Sequence, residues 1–240
     1  MDKYITDYWK KNMNDIIRWI RVHDIEHILA CKYIFANMVQ IYEDIYKNEL
    51  QYLLKYINMD EINNLTKDHA ENEKYNPVHM LYAIKQYENN TGMSIKDIKS
   101  IVEYGGGYGC MARLIKKINP DVRYTIIDLP IMTDIQREYL KGYDVNFVSL
   151  DKIESFKGRY EMFLSTWAFT ECTNELYDFI ISKKFYNAKK FLIAYLLTYD
   201  LSKKLEKEFE DKDKIITEVI SIRYFKNRYS EDNLNRFLFI

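Results

Sequence analysis

The chain has 240 residues, enough for one α/β domain with a helical extension and a full hydrophobic core. Lys plus Arg number 35 against 36 Asp plus Glu, and a net charge of −1 gives no electrostatic case for nucleic acid or an anionic membrane as partner. The three cysteines (Cys31, Cys110, Cys172) are odd in number and widely spaced, with no CxxC or Cys/His cluster, so neither a disulfide framework nor a structural zinc site is indicated.

The N-terminus lacks the apolar core of a signal peptide. The longest apolar run, residues 191–198, is far short of a membrane span. Cytoplasmic location without membrane association is therefore expected. The 22 Tyr and 12 Phe are many for this length, and aromatics of this kind fill the core and its margins or stack on a sugar or nucleotide.

Residues 1–98 carry almost no strand signal. Ile16, Ile17, Trp19 and Ile20, then Ile28, Leu29, Tyr33, Ile34 and Phe35, then Leu50, Leu53, Leu54 and Ile57 recur at three- and four-residue spacing, the pattern of amphipathic helices. Glycine is absent before Gly92, which leaves these helices free to be long. Within them His23-Asp24-Ile25-Glu26-His27 matches H-x-x-E-H, two histidines four apart on a helix. No third ligand accompanies them and Arg18 and Arg21 are close, so they read as ordinary helix histidines and no metal is expected. Residues 63–76 are polar and read as a loop that ends at Pro77, with a helix over residues 78–87. His69 inside that loop and His79 just beyond it are candidates for acid–base work, because the segment leads directly into the next feature.

That feature is a glycine turn. Ile101-Val102-Glu103-Tyr104 reads as a strand, Gly105, Gly106, Gly107 and Gly109 surround Tyr108, and residues 111–115 read as helix. Strand, glycine turn and helix bring backbone N–H groups and a helix N-terminus against a ligand, and the missing Cβ atoms allow both positive φ and close approach. Counted as a dinucleotide fingerprint the third small position falls on Cys110, a poor match; the spacing is Glu103-x-Gly105-x-Gly107-x-Gly109 instead. A second strand over residues 123–127 ends in Asp128-Leu129-Pro130. A carboxylate at that strand tip, about 20 positions past the turn, suits the two hydroxyls of an adenosyl ribose, and equally a helix N-cap.

Strand and helix then alternate: helix over 131–141, strand over 145–150, strand over 160–164, helix over 175–183, strand over 191–197, and a charged helix over 203–212. Asp151 follows the third strand, where it serves as a helix cap or as an adenine contact. The loop Ser165-Thr166-Trp167-Ala168-Phe169-Thr170-Glu171 follows the fourth strand, where an open α/β sheet binds its ligands. Residues 215–225 and 236–240, around Ser230-Glu231-Asp232-Asn233, suit a terminal antiparallel pair.

The turn Glu103-Tyr104-Gly105-Gly106-Gly107-Tyr108-Gly109, together with Tyr124-Thr125-Ile126-Ile127-Asp128-Leu129-Pro130 and residues 165–171, resembles class I S-adenosylmethionine-dependent methyltransferases, in particular the sugar O-methyltransferase family found in bacterial gene sets for capsule, O-antigen and other surface glycans. The resemblance spans residues 75–200, with Tyr104 in place of a smaller aliphatic residue and Thr170 in place of serine. It implies an α/β fold, a mostly parallel Rossmann-like sheet with an antiparallel last strand, over residues 99–240, behind a helical cap of residues 1–98 that covers the substrate pocket or forms a homodimer contact. It implies S-adenosyl-L-methionine as cofactor, contacted by Glu103, Gly105, Gly106, Gly107, Tyr108, Gly109, Asp128, Leu129, Asp151, Ser165 and Thr166. The acceptor it implies is a small molecule, a sugar or nucleotide-linked sugar. Removal of the acceptor proton then falls to Glu171, His79 or His69, Glu171 being also a helix-start carboxylate. Other readings are a methyltransferase acting on nitrogen or a phosphorus-linked group, a non-catalytic adenosyl-binding module, and, third, an NAD enzyme, which Cys110 disfavours.

Overall fold

The computed structural model describes residues 2–69, 73, 75–219 and 235–240. The amino-terminal part is helical, yet its second apolar stretch is not one long helix. Helix α1 (Asp7–His23) stops where Asp24 takes a φ of 69° and its carboxylate accepts a bond from the Ile25 N–H at 2.8 Å, a local bond that competes with helix continuation. A 3₁₀ turn (Ile25–Ala30), a short α2 (Lys32–Ile34) and a π turn (Phe35–Val39) follow. The buried residues Ile28, Cys31 and Ile34 are three apart, the repeat of a helix with three residues per turn. His23 and His27 therefore do not share a helix; both are exposed, on either side of the Asp24 break.

Helices α3 (Glu43–Leu53) and α4 (Met59–Thr66) come next, the latter capped by the Asn58 side chain accepting from the Glu61 N–H at 2.8 Å. This corrects the expected loop: residues 63–66 finish α4, whose Ile62 is buried and whose Leu65 packs on the core. Residues 70–72 and 74 of that stretch lie outside the described residues. Helix α5 (Asn76–Thr91) carries Pro77 in its first turn, where a missing N–H costs nothing, and ends at Gly92 with a φ of 70°. It packs against α3 on one side and the α/β part on the other, and is buried along most of its length.

The remaining elements are β1 (Ser100–Tyr104), α6 (Cys110–Ile118), β2 (Arg123–Asp128), α7 (Pro130–Tyr139), β3 (Val145–Ser149), β4 (Met162–Thr166), α8 (Asn174–Ser182), β5 (Lys190–Leu196), α9 (Asp200–Glu208), β6 (Ile215–Glu218) and β7 (Asn235–Phe239). They form a seven-stranded sheet in the order β3-β2-β1-β4-β5-β7-β6. β1 to β5 run parallel and β7 is antiparallel to both β5 and β6. This is the expected Rossmann-like architecture with an antiparallel last strand. Ile101, Val102, Ile126, Ile127, Phe163, Leu164, Leu192 and Ile193 are fully buried, as required of parallel strands covered on both faces. The strand order reverses between β1 and β4, and in open α/β sheets ligands sit beyond the strand carboxyl ends at that reversal.

Several bounds differ from the sequence reading: α5 runs on to Thr91, α6 to Ile118, and α9 ends at Glu208. The fourth strand starts at Met162, two residues late, and α9 starts at Asp200, three residues early, because Leu201, Ser202 and Leu205 bury an inner face. Expected strand residues 220–225 and the turn at Ser230-Glu231-Asp232-Asn233 lie outside the described residues. Between α8 and β5, Lys184–Asn187 takes four consecutive positive φ values of 51, 50, 57 and 63°. Such a left-handed turn costs about 1–2 kcal/mol per residue, offset here by burial of Phe185, whose ring lies 5.0 Å from Phe163, 5.1 Å from Phe191 and 5.3 Å from Phe209. Among the described residues no helix is long and apolar enough to cross a membrane.

Candidate functional site

The glycine turn between β1 and α6 is shaped by what does not fit in it. Gly105 (φ 72°) donates its N–H to Ile127 O at 2.9 Å, and a Cβ there would collide with the Cβ of Ala168 in the loop after β4. A Cβ on Gly106 would stand 2.8 Å from Ile126 Cγ2 and 2.9 Å from Glu103 Oε2. Gly107 (φ 56°) and Gly109 (φ 108°) need left-handed backbone, and no side chain caps the N-terminus of α6. The turn and the first residues of α6 border a cavity of 660 Å³ at the carboxyl ends of the strands.

Asp128, at the tip of β2, lines the same cavity. Its Oδ1 accepts from the Leu129 N–H at 2.7 Å and its Oδ2 from Gln136 Nε2 at 2.8 Å. The same Gln136 amide donates to Gly107 O at 2.7 Å, so one side chain fixes the carboxylate relative to the turn. Burial pushes the Asp128 carboxyl up to about 7, against the pull of hydrogen bonds from Leu129, Gln136 and Gly107. Glu103 is placed differently from the expectation of a cofactor contact. It is fully buried behind the turn, Oε2 accepting from the Tyr124 hydroxyl at 2.9 Å and Oε1 without a partner. Burial raises it to about 8. It does not border the cavity.

The opposite wall comes from the loop after β4. Ser165 is buried and holds that loop, donating to Tyr104 O at 2.9 Å and accepting from the Phe169 N–H at 3.1 Å; Thr166 borders the cavity and Ser165 does not. Trp167 has a φ of 55°, a strained value for a bulky residue. Its N–H donates to Ala194 O at 2.7 Å and its indole Nε1 to Asn235 Oδ1 at 3.1 Å. This geometry stacks the indole on His79, with ring centres 4.7 Å apart and planes 21° from parallel. His79 Nδ1 stands 2.6 Å from Glu49 Oε1, both side chains being buried. With Nδ1 held by a carboxylate, Nε2 is the nitrogen able to take a proton. Glu171 lines the cavity as well, and burial pushes it up to about 7, with a hydrogen bond from Tyr199 opposing.

Of the other expected site residues, Leu129 and Tyr108 border the cavity, whereas Asp151 is exposed in the 3₁₀ turn Leu150–Lys152 and does not. His69 also stands apart from it. Its Nδ1 lies 2.9 Å from the Tyr139 hydroxyl and 3.1 Å from Glu73 Oε2, to which Tyr139 donates at 2.6 Å, and its Nε2 is buried without a partner. His69, Glu73 and Cys110 offer donor atoms within 4.8 Å of one another, a set of metal-binding types. His69 Nδ1 and Glu73 Oε2 both bond the Tyr139 hydroxyl, and the Arg113 guanidinium sits 4.7 Å over the Tyr139 ring.

Sequence reasoning missed Glu49, Gln136 and Asn76. Glu49 reads as one more charge on an amphipathic helix. Gln136, eight residues past Asp128, gives no sequence sign that its amide turns back to the strand tip. Asn76 borders the cavity at 2% exposure, its Nδ2 donating to the Tyr108 hydroxyl at 2.6 Å and to Met38 O at 3.1 Å, while its Oδ1 has no partner. Its place beside Pro77 at the start of α5 was the only available signal.

No family model matches the sequence, and neither does any curated protein. Solved structures do resemble it. Thermoplasma acidophilum 1320 aligns over 75% of this chain and 94% of its own at 17% identity, with a TM-score of 0.50. The plantazolicin methyltransferase BpumL, in complex with a monoazolic desmethylPZN analog and SAH, aligns over 82% and 97% at 16% identity and a TM-score of 0.48. The precorrin-6y C5,15-methyltransferase from Geobacter metallireducens aligns over 72% and 90% at 12% identity and a TM-score of 0.45. At such identities the likeness is one of fold.

Two outcomes are expected. Gly105→Ala combines a collision with Ala168 and an unfavourable φ, costing about 2–4 kcal/mol, so thermal unfolding followed by circular dichroism should start roughly 5–10 °C lower; an unchanged midpoint would show that the turn is not closely packed. Glu103, Asp128 and Glu171 all bind their protons more tightly folded than unfolded. Their contribution is complete below about pH 4 and is lost as pH rises through about 7 to 8, so stability should fall from pH 5 to pH 9 by a few kcal/mol. Glu103→Gln should flatten that slope in denaturant titrations, and a variant as pH-dependent as the wild type refutes the assignment.

Proposed function

We propose that the chain is an S-adenosylmethionine-dependent O-methyltransferase whose acceptor is the hydroxyl of a sugar or nucleotide-linked sugar of the kind used in bacterial surface-glycan synthesis. The observation that carries this reading is the convergence on one cavity of the glycine turn, the strand-tip Asp128 and His79, which Glu49 holds from behind at 2.6 Å. The sugar itself rests on the sequence resemblance alone.

The residues present fit the cofactor. The turn at residues 105–107 leaves backbone without side-chain bulk along the cavity, Asp128 has acceptor capacity for ribose hydroxyls, and the unpaired Asn76 Oδ1 is an acceptor suited to an ammonium group. Bound there, the cofactor would supply an electrophilic methyl carbon. The protein's own part is to align an acceptor oxygen and remove its proton. A sugar hydroxyl is a weak acid, so a positioned base contributes roughly 100-fold to 10,000-fold. His79 Nε2 takes that proton, Glu49 stabilises the resulting imidazolium, and Trp167 fixes the ring plane. Glu171 is a second base on the same wall, partly protonated near neutrality. His69 does not border the cavity.

Calorimetric titration of the wild type should show binding of S-adenosylmethionine in preference to NAD, weakened by about 2 kcal/mol in Asp128→Ala through lost charge-assisted hydrogen bonds. No binding, or a preference for NAD, would overturn the reading. With an acceptor found by screening sugars for release of S-adenosylhomocysteine, His79→Gln should lower turnover about 100-fold or more while cofactor affinity stays within about threefold. Turnover that survives loss of both His79 and Glu171 would point to a nitrogen acceptor, which needs no strong base.

A further inference from the structure

We infer that Gln136 is a specificity-determining positioning residue of the cofactor site: by committing both hydrogens of its amide to Gly107 O and Asp128, it aims the Asp128 carboxylate so that an intact ribose diol is selected over a deoxyribose. The inference rests on the methyltransferase reading above and deepens it, naming the residue that stands behind the one meeting the cofactor.

Gln136 lies about two turns into α7 and is fully buried, on the inward face that also carries Met132 and Thr133. It does not border the cavity, so whatever it does for a ligand it does through a neighbour. A buried primary amide is costly unless it is hydrogen-bonded, and a Met of similar length would fill the same place without that cost. Packing therefore does not require the amide. Its Nε2 donates to Gly107 O at 2.7 Å and to Asp128 Oδ2 at 2.8 Å. Both partners are acceptors, so the group that faces them has to be the NH2 and not the oxygen. That oxygen, Oε1, is left buried without a partner among the described residues. The orientation thus serves Gly107 and Asp128 at the expense of the amide's own satisfaction.

The effect on Asp128 is one of aim. The terminal torsion of an aspartate is broad, and a free carboxylate turns within it. Here the Leu129 N–H holds Oδ1 at 2.7 Å and the amide holds Oδ2, which together fix the carboxylate plane. Asp128 borders the cavity, so the acceptor capacity that these bonds leave is presented there in one orientation. Two adjacent ribose hydroxyls are donors that such a fixed carboxylate receives and a freely turning one receives less well. Burial pushes Asp128 up to about 7, and the amide is one of the donors opposing that rise. Without it the carboxyl holds its proton more tightly and is a poorer acceptor at neutral pH.

The test titrates the full chain in a calorimeter with S-adenosylhomocysteine and with its 2′-deoxy and 3′-deoxy analogues. The wild type should bind the parent about tenfold or more tighter than either analogue, as a site built to hydrogen-bond a hydroxyl does. In Gln136→Met that ratio should shrink to about threefold or less, while affinity for the analogues hardly changes. A purely structural defect would weaken all three ligands alike and keep the ratio. In an Asp128→Ala background Gln136→Met should not alter the remaining ratio, because a residue that acts through Asp128 has nothing left to act on. Gln136→Glu keeps the shape and supplies at most one hydrogen for two acceptors, so its ratio should fall as well, which keeps the test open if Gln136→Met does not fold. A wild-type ratio in either folded variant, proportional weakening of all three ligands, or a further drop in the Asp128→Ala background overturns the inference. Loss of folding in both variants makes Gln136 a structural residue and overturns it too. A wild type that does not bind S-adenosylhomocysteine removes the methyltransferase reading and this one with it, whereas normal binding without selectivity for the diol removes this one alone.

Discussion

The site depends on a volume constraint at the end of β1. Between Tyr104 and Cys110 the backbone runs so close to β2, to the loop after β4 and to Glu103 that side chains cannot be accommodated at Gly105 or Gly106. That closeness lets Gly105 bond Ile127 O and lets Gln136 reach both Gly107 O and Asp128. Three strand ends are thereby locked at one level, and the cavity above them inherits its shape from close packing below. Ala168 belongs to the same constraint, because its methyl group sits where the missing Cβ of Gly105 would be.

Electrostatically the site is unusual in gathering carboxyls. Glu49, Glu103 and Asp128 are each at most 7% exposed, and Glu171 is largely buried. Each has its own hydrogen-bond partner: a histidine for Glu49, a tyrosine hydroxyl for Glu103, an amide and a backbone N–H for Asp128, a second tyrosine for Glu171. Hydrogen-bond donors replace counter-charges almost throughout. Burial thereby holds Glu103, Asp128 and Glu171 near their titration range, a condition that proton-transfer sites share.

Much of this was legible in the sequence, for definable reasons. The glycine turn, the strand ending in Asp128 and the alternation of strand and helix from residue 100 onward are local patterns, and the described elements start within about three residues of where the sequence places them. What could not be read depends on pairing at a distance. Glu49 and His79 are 30 residues apart, and nothing local marks either as the other's partner. Glu103 occupies the expected motif position, yet the register that sets Tyr124 beside it turns its carboxyl away from the cavity. The broken helix after Asp24 escaped because residues three apart satisfy 3₁₀ and α periodicities alike over a short span.

The turn at Lys184–Asn187 shows the same limit in its strongest form. Lys-Phe-Tyr-Asn contains no glycine, and its neighbours offer nothing that favours four successive left-handed residues. Local preference and tertiary packing pull in opposite directions there, a point of frustration resolved in favour of packing. The conformation of these four residues is therefore encoded largely in rings elsewhere in the chain, Phe163 and Phe209, which lie 22 and 24 positions from Phe185, with Phe191 six positions on. An excised peptide spanning this segment would not hold the turn, and transplanting it into another scaffold would carry the sequence without the shape.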